Sequence, residues 1–428
     1  MPPQLPLALS YKASPLLWEL PNEIVQQIFA VFATTLSTRK LALFPWFLGH
    51  ICSSWRYIFL SMTTEFWSSI SIIFGLERPE RTVDVVLFFL ERDLETPLSF
   101  NVLLLHRYSK YYRHAAHQIR QIMEALVDKS MRWRKASFST RARDLLPLTL
   151  AKDRLPILQE LHLLLDVDED VPCELHDVFQ NTPSLDVVRI RELADWKFNL
   201  LNLKAIDVYR LGDGAFNFIT TLPQMTKLER LELDYPLDDA IPSSAIVLPN
   251  LTTLSCGPIW LHLLQAPALE VLLIDYDLSD SPDIVLSFLC RSTCDSKILR
   301  LGISSAQAST AIEIIRHTPR ITHLDLWNIA KPGNVFKQLT VPANPAHELL
   351  ARHLLSLYFC DLDDTSDDDI GLLSDLISSR TVGSATDSCG YKRLEKLELA
   401  GDMYRVSSVA KSNVIALCEE RGVQYVEY

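Results

Sequence analysis

Glycine is scarce in this chain, with 12 among 428 residues, so few positions offer the left-handed backbone that sharp catalytic loops draw on. The eight cysteines, at 52, 173, 256, 290, 294, 360, 389 and 418, form no C-x-x-C pair and no dense framework. Their spacing argues against a disulfide scaffold and fits reduced, mostly buried thiols in an intracellular protein. Cys290 and Cys294 stand one helical turn apart, yet no histidine or second cysteine pair completes a zinc site. No run of about 18 apolar residues exists to span a bilayer, and the opening MPPQLPLALSYKASP lacks the basic start of a signal peptide. A cytoplasmic or nuclear location is expected. Basic excess is absent too: the formal net charge of −12 argues against general binding to nucleic acid or to an anionic membrane. No G-x-S-x-G elbow, phosphate-binding glycine loop or H-E-x-x-H motif occurs. His106, His114 and His117 lie near Arg107, Tyr108, Tyr111 and Tyr112, where a basic, wet helix start accounts for them. No catalytic residue, metal or cofactor is called for.

With 48% hydrophobic and 22% charged residues, the chain can bury a large core. Its length suits two or three domains or one long repeat array. Near the N-terminus, Pro21 stands where a helix start tolerates a missing N–H, and Glu23 falls in the first turn, where the helix dipole favours a negative charge. A helix from about Pro21 to Phe32 is predicted. Ile24, Ile28 and Phe32 form one apolar stripe on it, and Val25, Phe29 and Ala33 a neighbouring one. That is more apolar surface than a lone short helix can hide. A second element places Ile51, Trp55 and Ile58 along one side, Phe66–Trp67 closes the unit, and Pro45 ends or kinks any helix between. Three short helices around one small core fit.

Leu20-Pro21-x-Glu23-Ile24, Ile28-Phe29, Cys52-x-x-Trp55-Arg56 and Phe66-Trp67, in that order, resemble an F-box. The resemblance covers roughly the first sixth of the chain, and Ala33 to Gly49 is longer than usual for the family. It implies docking onto a Skp-type adaptor and, through it, a cullin–RING ubiquitin ligase. Leu20, Pro21, Ile24, Ile28, Phe29, Trp55 and Trp67 would be the adaptor-binding residues.

Beyond residue 130 large aliphatic residues recur in the frame L-x-x-L-x-L. Ten copies run from Leu158-Leu161-Leu163 through Leu228-Leu231-Leu233 and Ile321-Leu324-Leu326 to Leu394-Leu397-Leu399. The last two positions of each copy share one face of a strand. The intervening stretches read as helices, for example Ser281–Arg291 and Ala306–His317. Strand, turn and helix in repetition define a solenoid. The pattern resembles a degenerate leucine-rich-repeat array, which implies parallel strands on a concave side and helices on a convex side. First positions recur every 18 to 40 residues, and the family's turn asparagine is missing: Asp166, Leu193, Leu211 and Pro236 are among the residues found there. The turns must be satisfied otherwise. Phe66–Phe74 and Pro97–Leu104 read as earlier strands, Thr82–Leu94 and Ala115–Val127 as helices, Trp133-Ala136-Phe138 as a weak further copy, and Val423–Tyr428 as a last strand.

The fold class is therefore α/β, a three-helix F-box followed by a repeat solenoid. Residues 1–16 form a loosely ordered start, 17–70 the F-box, and 71–428 the array, irregular over 71–140 and clearer over 141–428. Residues alternating with the core leucines would face a partner. They include Arg189, Arg191, Tyr209, Glu232, Asp234, Asp275, His323, Trp327 and Tyr358, a mix of aromatics, arginine and charge that suits protein binding. Trp327 with Tyr358 makes one expected anchor pair, and Tyr209 with Arg189 and Arg191 a second cluster. Asp361–Asp369 carries six acidic residues. It reads as a solvated loop, with a basic partner or a cation as alternatives, though it lacks the glycine and distal glutamate of a calcium loop. Ser366 fits an acid-directed kinase. The function expected is a substrate-recognition subunit of an SCF-type ubiquitin ligase, which holds an unknown protein substrate. The alternative is a leucine-rich-repeat scaffold or an F-box protein acting outside a ligase.

Overall fold

A computed structural model of the chain describes residues 20–33, 51–62, 66–74, 79–92, 95–104, 111–165, 171–193, 196–211, 215–233, 245–275, 282–341, 349–360, 365–381, 391–400 and 407–427. The chain divides into two compact units, Met1–Thr182 and Pro183–Tyr428. The expected loose start at 1–16 and the long middle of the helical module lie outside the described residues.

The first unit begins with α1 (Asn22–Ala33) and α2 (Ser53–Leu60). The Pro21 carbonyl accepts the Ile24 and Val25 N–H groups at 3.0 and 3.1 Å and starts α1. The Cys52 thiol caps α2 by accepting from the Trp55 N–H. Of the two stripes on α1, Val25 and Phe29 turn inward, while Ile24 stays 41% exposed. On the second element Trp55 and Ile58 are buried, but Ile51 is exposed. Phe29 meets Trp55 edge-on at 5.3 Å, Phe59 meets Trp67 at 5.3 Å, and Trp67 reaches Phe89 at 5.9 Å. Phe89 belongs to α3 (Pro79–Arg92). The helical module and α3 thus share one aromatic core, and no division falls near residue 70.

Strands β1 (Ser69–Phe74), β2 (Leu98–Leu104), β3 (Trp133–Ser139) and β4 (Glu160–Leu163) follow, each parallel to the next. Between β2 and β3 runs α4 (Tyr111–Asp128), and Trp133, fully buried, donates its indole N–H to the Leu126 carbonyl. One element escaped the sequence reading, a 3-10 helix over Ala142–Ala151. Its buried residues Ala142, Leu145, Leu148 and Ala151 recur every third position, the period of that helix, and Pro147 supplies no N–H to a longer-range ladder.

In the second unit the main sheet strands are β5 (Val187–Glu192), β6 (Ala205–Arg210), β7 (Arg230–Leu233), β9 (Thr253–Cys256), β11 (Val271–Ile274), β12 (Arg300–Ser304), β13 (His323–Trp327), β14 (Ser356–Cys360), β15 (Lys396–Ala400) and β16 (Gln424–Glu427). They stand in chain order and pair in parallel. The short β8 (Ile246–Val247) and β10 (Leu264–Gln265) pair with each other. Helices α5 (Ala215–Thr221), α6 (Pro258–Leu263), α7 (Asp283–Ser292), α8 (Ala308–Arg316), α9 (Gly333–Leu339), α10 (Asp367–Thr381) and α11 (Ser408–Arg421) lie between strands in sequence. Val188, Ile206, Leu231, Leu254, Leu272, Leu301, Leu324, Leu357 and Leu397 fall in one register row, all fully buried.

Backbone groups replace the missing turn asparagine. Where strands begin, one carbonyl accepts two successive N–H groups from the next repeat: Glu229 takes Thr252 and Thr253, Leu299 takes Thr322 and His323, and Leu355 takes Glu395 and Lys396. Where strands end, Asp275, Ser305 and Asn328 donate to Cys256, Trp327 and Cys360. The few glycines do not prevent sharp turns, since Asp153, Thr293, Ser305, Asn328, Lys331 and Ala351 all take positive φ, at roughly 1–2 kcal/mol each for a residue with a Cβ.

The acidic run is not simply a solvated loop. Residues 361–364 lie outside the described residues, but Asp367–Asp369 form the first turn of α10. Asp369 accepts from the Ser366 N–H (2.9 Å) and hydroxyl (2.7 Å) and, through its other oxygen, from the Gly333 N–H at 3.1 Å. Asp367 accepts the Ser407 N–H at 2.8 Å. These carboxylates therefore satisfy open donors at the starts of α9, α10 and α11.

Arg380 of α10 is the largest buried charged side chain among the described residues. Its guanidinium donates to the carbonyls of Leu339 (2.9 Å), Ala351 (2.9 Å) and Leu350 (2.8 Å). Burial lowers its pKa to about 10, so it stays charged at neutral pH. It holds the strained Ala351, at φ 50°, beside the end of α9. Replacement by leucine would take the side-chain donor from the Leu339 and Leu350 carbonyls, at about 1–3 kcal/mol each, while Ala351 keeps the Leu354 N–H. Urea unfolding of Arg380→Leu should therefore show a loss of at least ~2 kcal/mol, with Arg380→Lys recovering only part, because one ammonium cannot span three acceptors.

Candidate interaction surfaces

The first surface lies on α1 and α2. Pro21, Ile24 and Val31 are exposed and Leu20 and Ile28 half-buried, with Val31 at 73%. Ile24, Ile28 and Val31 share one helical face. Tyr57 (74% exposed) and Leu60 add apolar surface on α2. The expected adaptor residues thus separate into two sets. Leu20, Pro21, Ile24 and Ile28 reach the surface, whereas Phe29, Trp55 and Trp67 are buried in the aromatic core. Burial gives those three a packing role in place of the expected contact role: Trp67 packs against Phe59, Phe66 and Phe89, and Phe29 against Trp55 and Phe59.

The second surface is the open face of the sheet in the second unit. Its central row runs Arg189, Asp207, Glu232, Ser255, Leu273, Gly302, Asp325, Tyr358 and Glu398 across successive strands. Asp207 is 2% exposed. Its Oδ2 accepts from Arg230 Nη2 at 2.8 Å and forms an ion pair, without hydrogen-bond alignment, with Arg189 Nε at 2.7 Å. Two guanidiniums thus compensate one buried carboxylate. Arg189 pairs with Asp207, and Tyr209 and Arg191 stand half-buried on the same face. Asp325 is likewise buried and accepts from Arg300 Nε at 2.6 Å. Burial raises its pKa against the lowering pull of Arg300. Asp275 accepts from the Ser255 hydroxyl at 2.6 Å, and His323 is exposed. Asp234 lies outside the described residues.

Trp327 and Tyr358 do meet, with ring centroids 5.8 Å apart and planes at 57°. Gly302 makes this possible. A Cβ built there would lie 2.6 Å from Trp327 Cζ3 and 2.7 Å from Leu273 Cδ2, so the indole lies across the glycine. The sequence reading overlooked Gly302. Its signal was a small residue at the central position where neighbouring copies carry Asp325 and Tyr358.

Among the described residues no cluster of three or more His, Cys, Asp or Glu is arranged to hold a metal, and no described helix is long and apolar enough to cross a membrane. The seven described cysteines are free. Cys256, Cys294 and Cys418 are buried, with burial pushing the last two thiols up to about 11. Cys52 and Cys360 are half-buried, and Cys173 and Cys290 are exposed. No protein-family model and no curated protein matches the chain.

Two outcomes follow. The Glu232 carboxyl has a raised pKa, from burial first and from the neighbouring Asp207 second. An acid raised in the folded state binds its proton more tightly there, so stability is lost as pH rises from the unfolded toward the folded pKa. Glu232→Gln should have a higher thermal midpoint than the parent at pH 7, with the gain gone below about pH 4, where the parent is also neutral. Gly302→Ala should lift Trp327 off the sheet, seen as more acrylamide-quenchable tryptophan emission, with no such increase in a Trp327→Phe background.

Proposed function

We propose that this protein is the substrate receptor of an SCF-type ubiquitin ligase. Leu20, Pro21, Ile24 and Ile28 would dock on a Skp-type adaptor, and the open sheet face would hold the target protein. The observation that carries the reading is the exposure of Ile24, 41%, on a helix whose Val25 and Phe29 already fill the core. A helix whose inward stripe is satisfied and whose second stripe is exposed invites a partner. Each aliphatic anchor buried there would contribute about 1.5–3 kcal/mol, so a few suffice after the cost of association. The array's part is proximity: it raises the local concentration of a substrate lysine near a charged conjugating enzyme. No residue of this chain takes part in the transfer. On the open face, Trp327 with Tyr358 is the aromatic anchor, flanked by Arg300 and Asp325.

Co-expression with a Skp-type adaptor and size-exclusion chromatography tests the reading. The native chain should co-elute, and a Leu20→Asp, Ile24→Asp variant should bind at least about a hundredfold more weakly while melting at the parent's temperature, because neither residue is buried. Independent elution of a folded native chain would sink the ligase reading. Adaptor binding without recruitment of a cullin assembly would point to an F-box protein that works outside a ligase.

A further inference from the structure

A cavity of about 400 Å³ lies in the second unit, bordered by the end of α8, by Gln338 of α9 and by residues 349–353. In a chain of net charge −12, its lining is basic. Arg316, Arg320, Arg352 and His353 line it together with the apolar Ile315 and Leu350. No described acidic residue lines it. The basic groups come from two short segments, one around the end of α8 and one in the turn before β14.

Both segments are held from behind. Arg380 binds the carbonyls of Leu350 and Ala351, and the Leu354 N–H closes the turn onto Ala351 at 3.1 Å. On the other side the Thr318 hydroxyl bonds to the carbonyls of Ile314 and Ile315, both at 3.2 Å. The cations are poorly compensated. Arg316 pairs with Glu313. Arg320 reaches only the Ser296 carbonyl, at 3.5 Å. Among the described residues no acid pairs with Arg320, Arg352 or His353. Gathering like charges costs free energy unless an anion sits among them.

We propose that this cavity binds a phosphate monoester carried on a small apolar body. Guanidinium groups present planar pairs of N–H donors that match phosphate oxygens. A phosphate monoester brings three acceptor oxygens and nearly two negative charges, which balances Arg320 and Arg352, the two arginines left once Arg316 pairs with Glu313, better than the single charge of a carboxylate. Ile315 and Leu350 offer an apolar floor for the body of the ligand, and the volume falls among those of small-molecule sites, about 300–1,000 Å³. The site shares no residue with the adaptor face or with the Trp327–Tyr358 anchor, and it stands whether or not the ligase reading does.

Calorimetric titration of the full chain with phenyl phosphate, beside phenol, tests the assignment. Saturable binding of phenyl phosphate, absent for phenol, is expected. It should weaken about tenfold in Arg352→Gln and by a similar factor in Arg320→Gln. Both side chains are exposed, so both variants should melt as the parent does; if one does not fold, the other carries the test. A phosphoserine peptide titrated in competition distinguishes the source. Displacement by a tighter-binding peptide would assign the site to a phosphorylated chain, and a peptide that fails to compete would leave a small molecule; either supports phosphate recognition. No saturable binding of either phosphate compound at millimolar concentration, or binding unchanged in both variants, would overturn the proposal.

Discussion

In a parallel ladder a slip of one residue turns every inward side chain to the opposite face, and no inner strand of the second unit can slip alone because it bonds to a neighbour on each side. The row from Val188 to Leu397 is buried without exception, so each strand's register is tied to that of the next. The shared carbonyls of Glu229, Leu299 and Leu355, each accepting two N–H groups of the following repeat, set the same register from the backbone. Repeats of unequal length can then coexist. The loop between two strands can grow or shrink so long as its ends return to these acceptors, since loop closure costs little more for a longer loop.

That register also arranges the polar chemistry of the open face. Side chains two apart on one strand stand beside the same positions on the next, so Asp207 meets arginines from both neighbours and Asp325 meets Arg300. Charge on this face is largely paired within the sheet, which leaves the aromatic pair seated over Gly302 as its most distinctive feature. At the other ends of the repeats, polar groups serve the backbone instead. Arg380 gathers three carbonyls, and Asp367 and Asp369 gather the open N–H groups of neighbouring helices.

Strand positions were readable because the L-x-x-L-x-L frame has a two-residue period at its end, and the observed strands fall where that period lies. Helices such as α7 and α8 were readable from apolar residues at helical spacing. The 3-10 helix at Ala142–Ala151 was not, because a period of three is easily taken for an irregular helical one. Charge alone misled at Asp367–Asp369, since a run of acids has the same composition whether it faces water or caps helices. On α1 both apolar stripes were visible, but which of them is buried depends on Trp55 and Phe59 of α2, a contact between separate elements.

Local periodicity, read residue by residue, was enough to establish parallel strands alternating with helices and a helical start, because side-chain direction follows from backbone repeat. It could not establish that Phe29, Trp55 and Trp67 lie inside while Ile24 lies outside, that Trp327 rests on Gly302, or that three arginines line one cavity. Those arrangements join residues tens of positions apart, and burial and charge pairing across such distances exist only once the repeats have stacked.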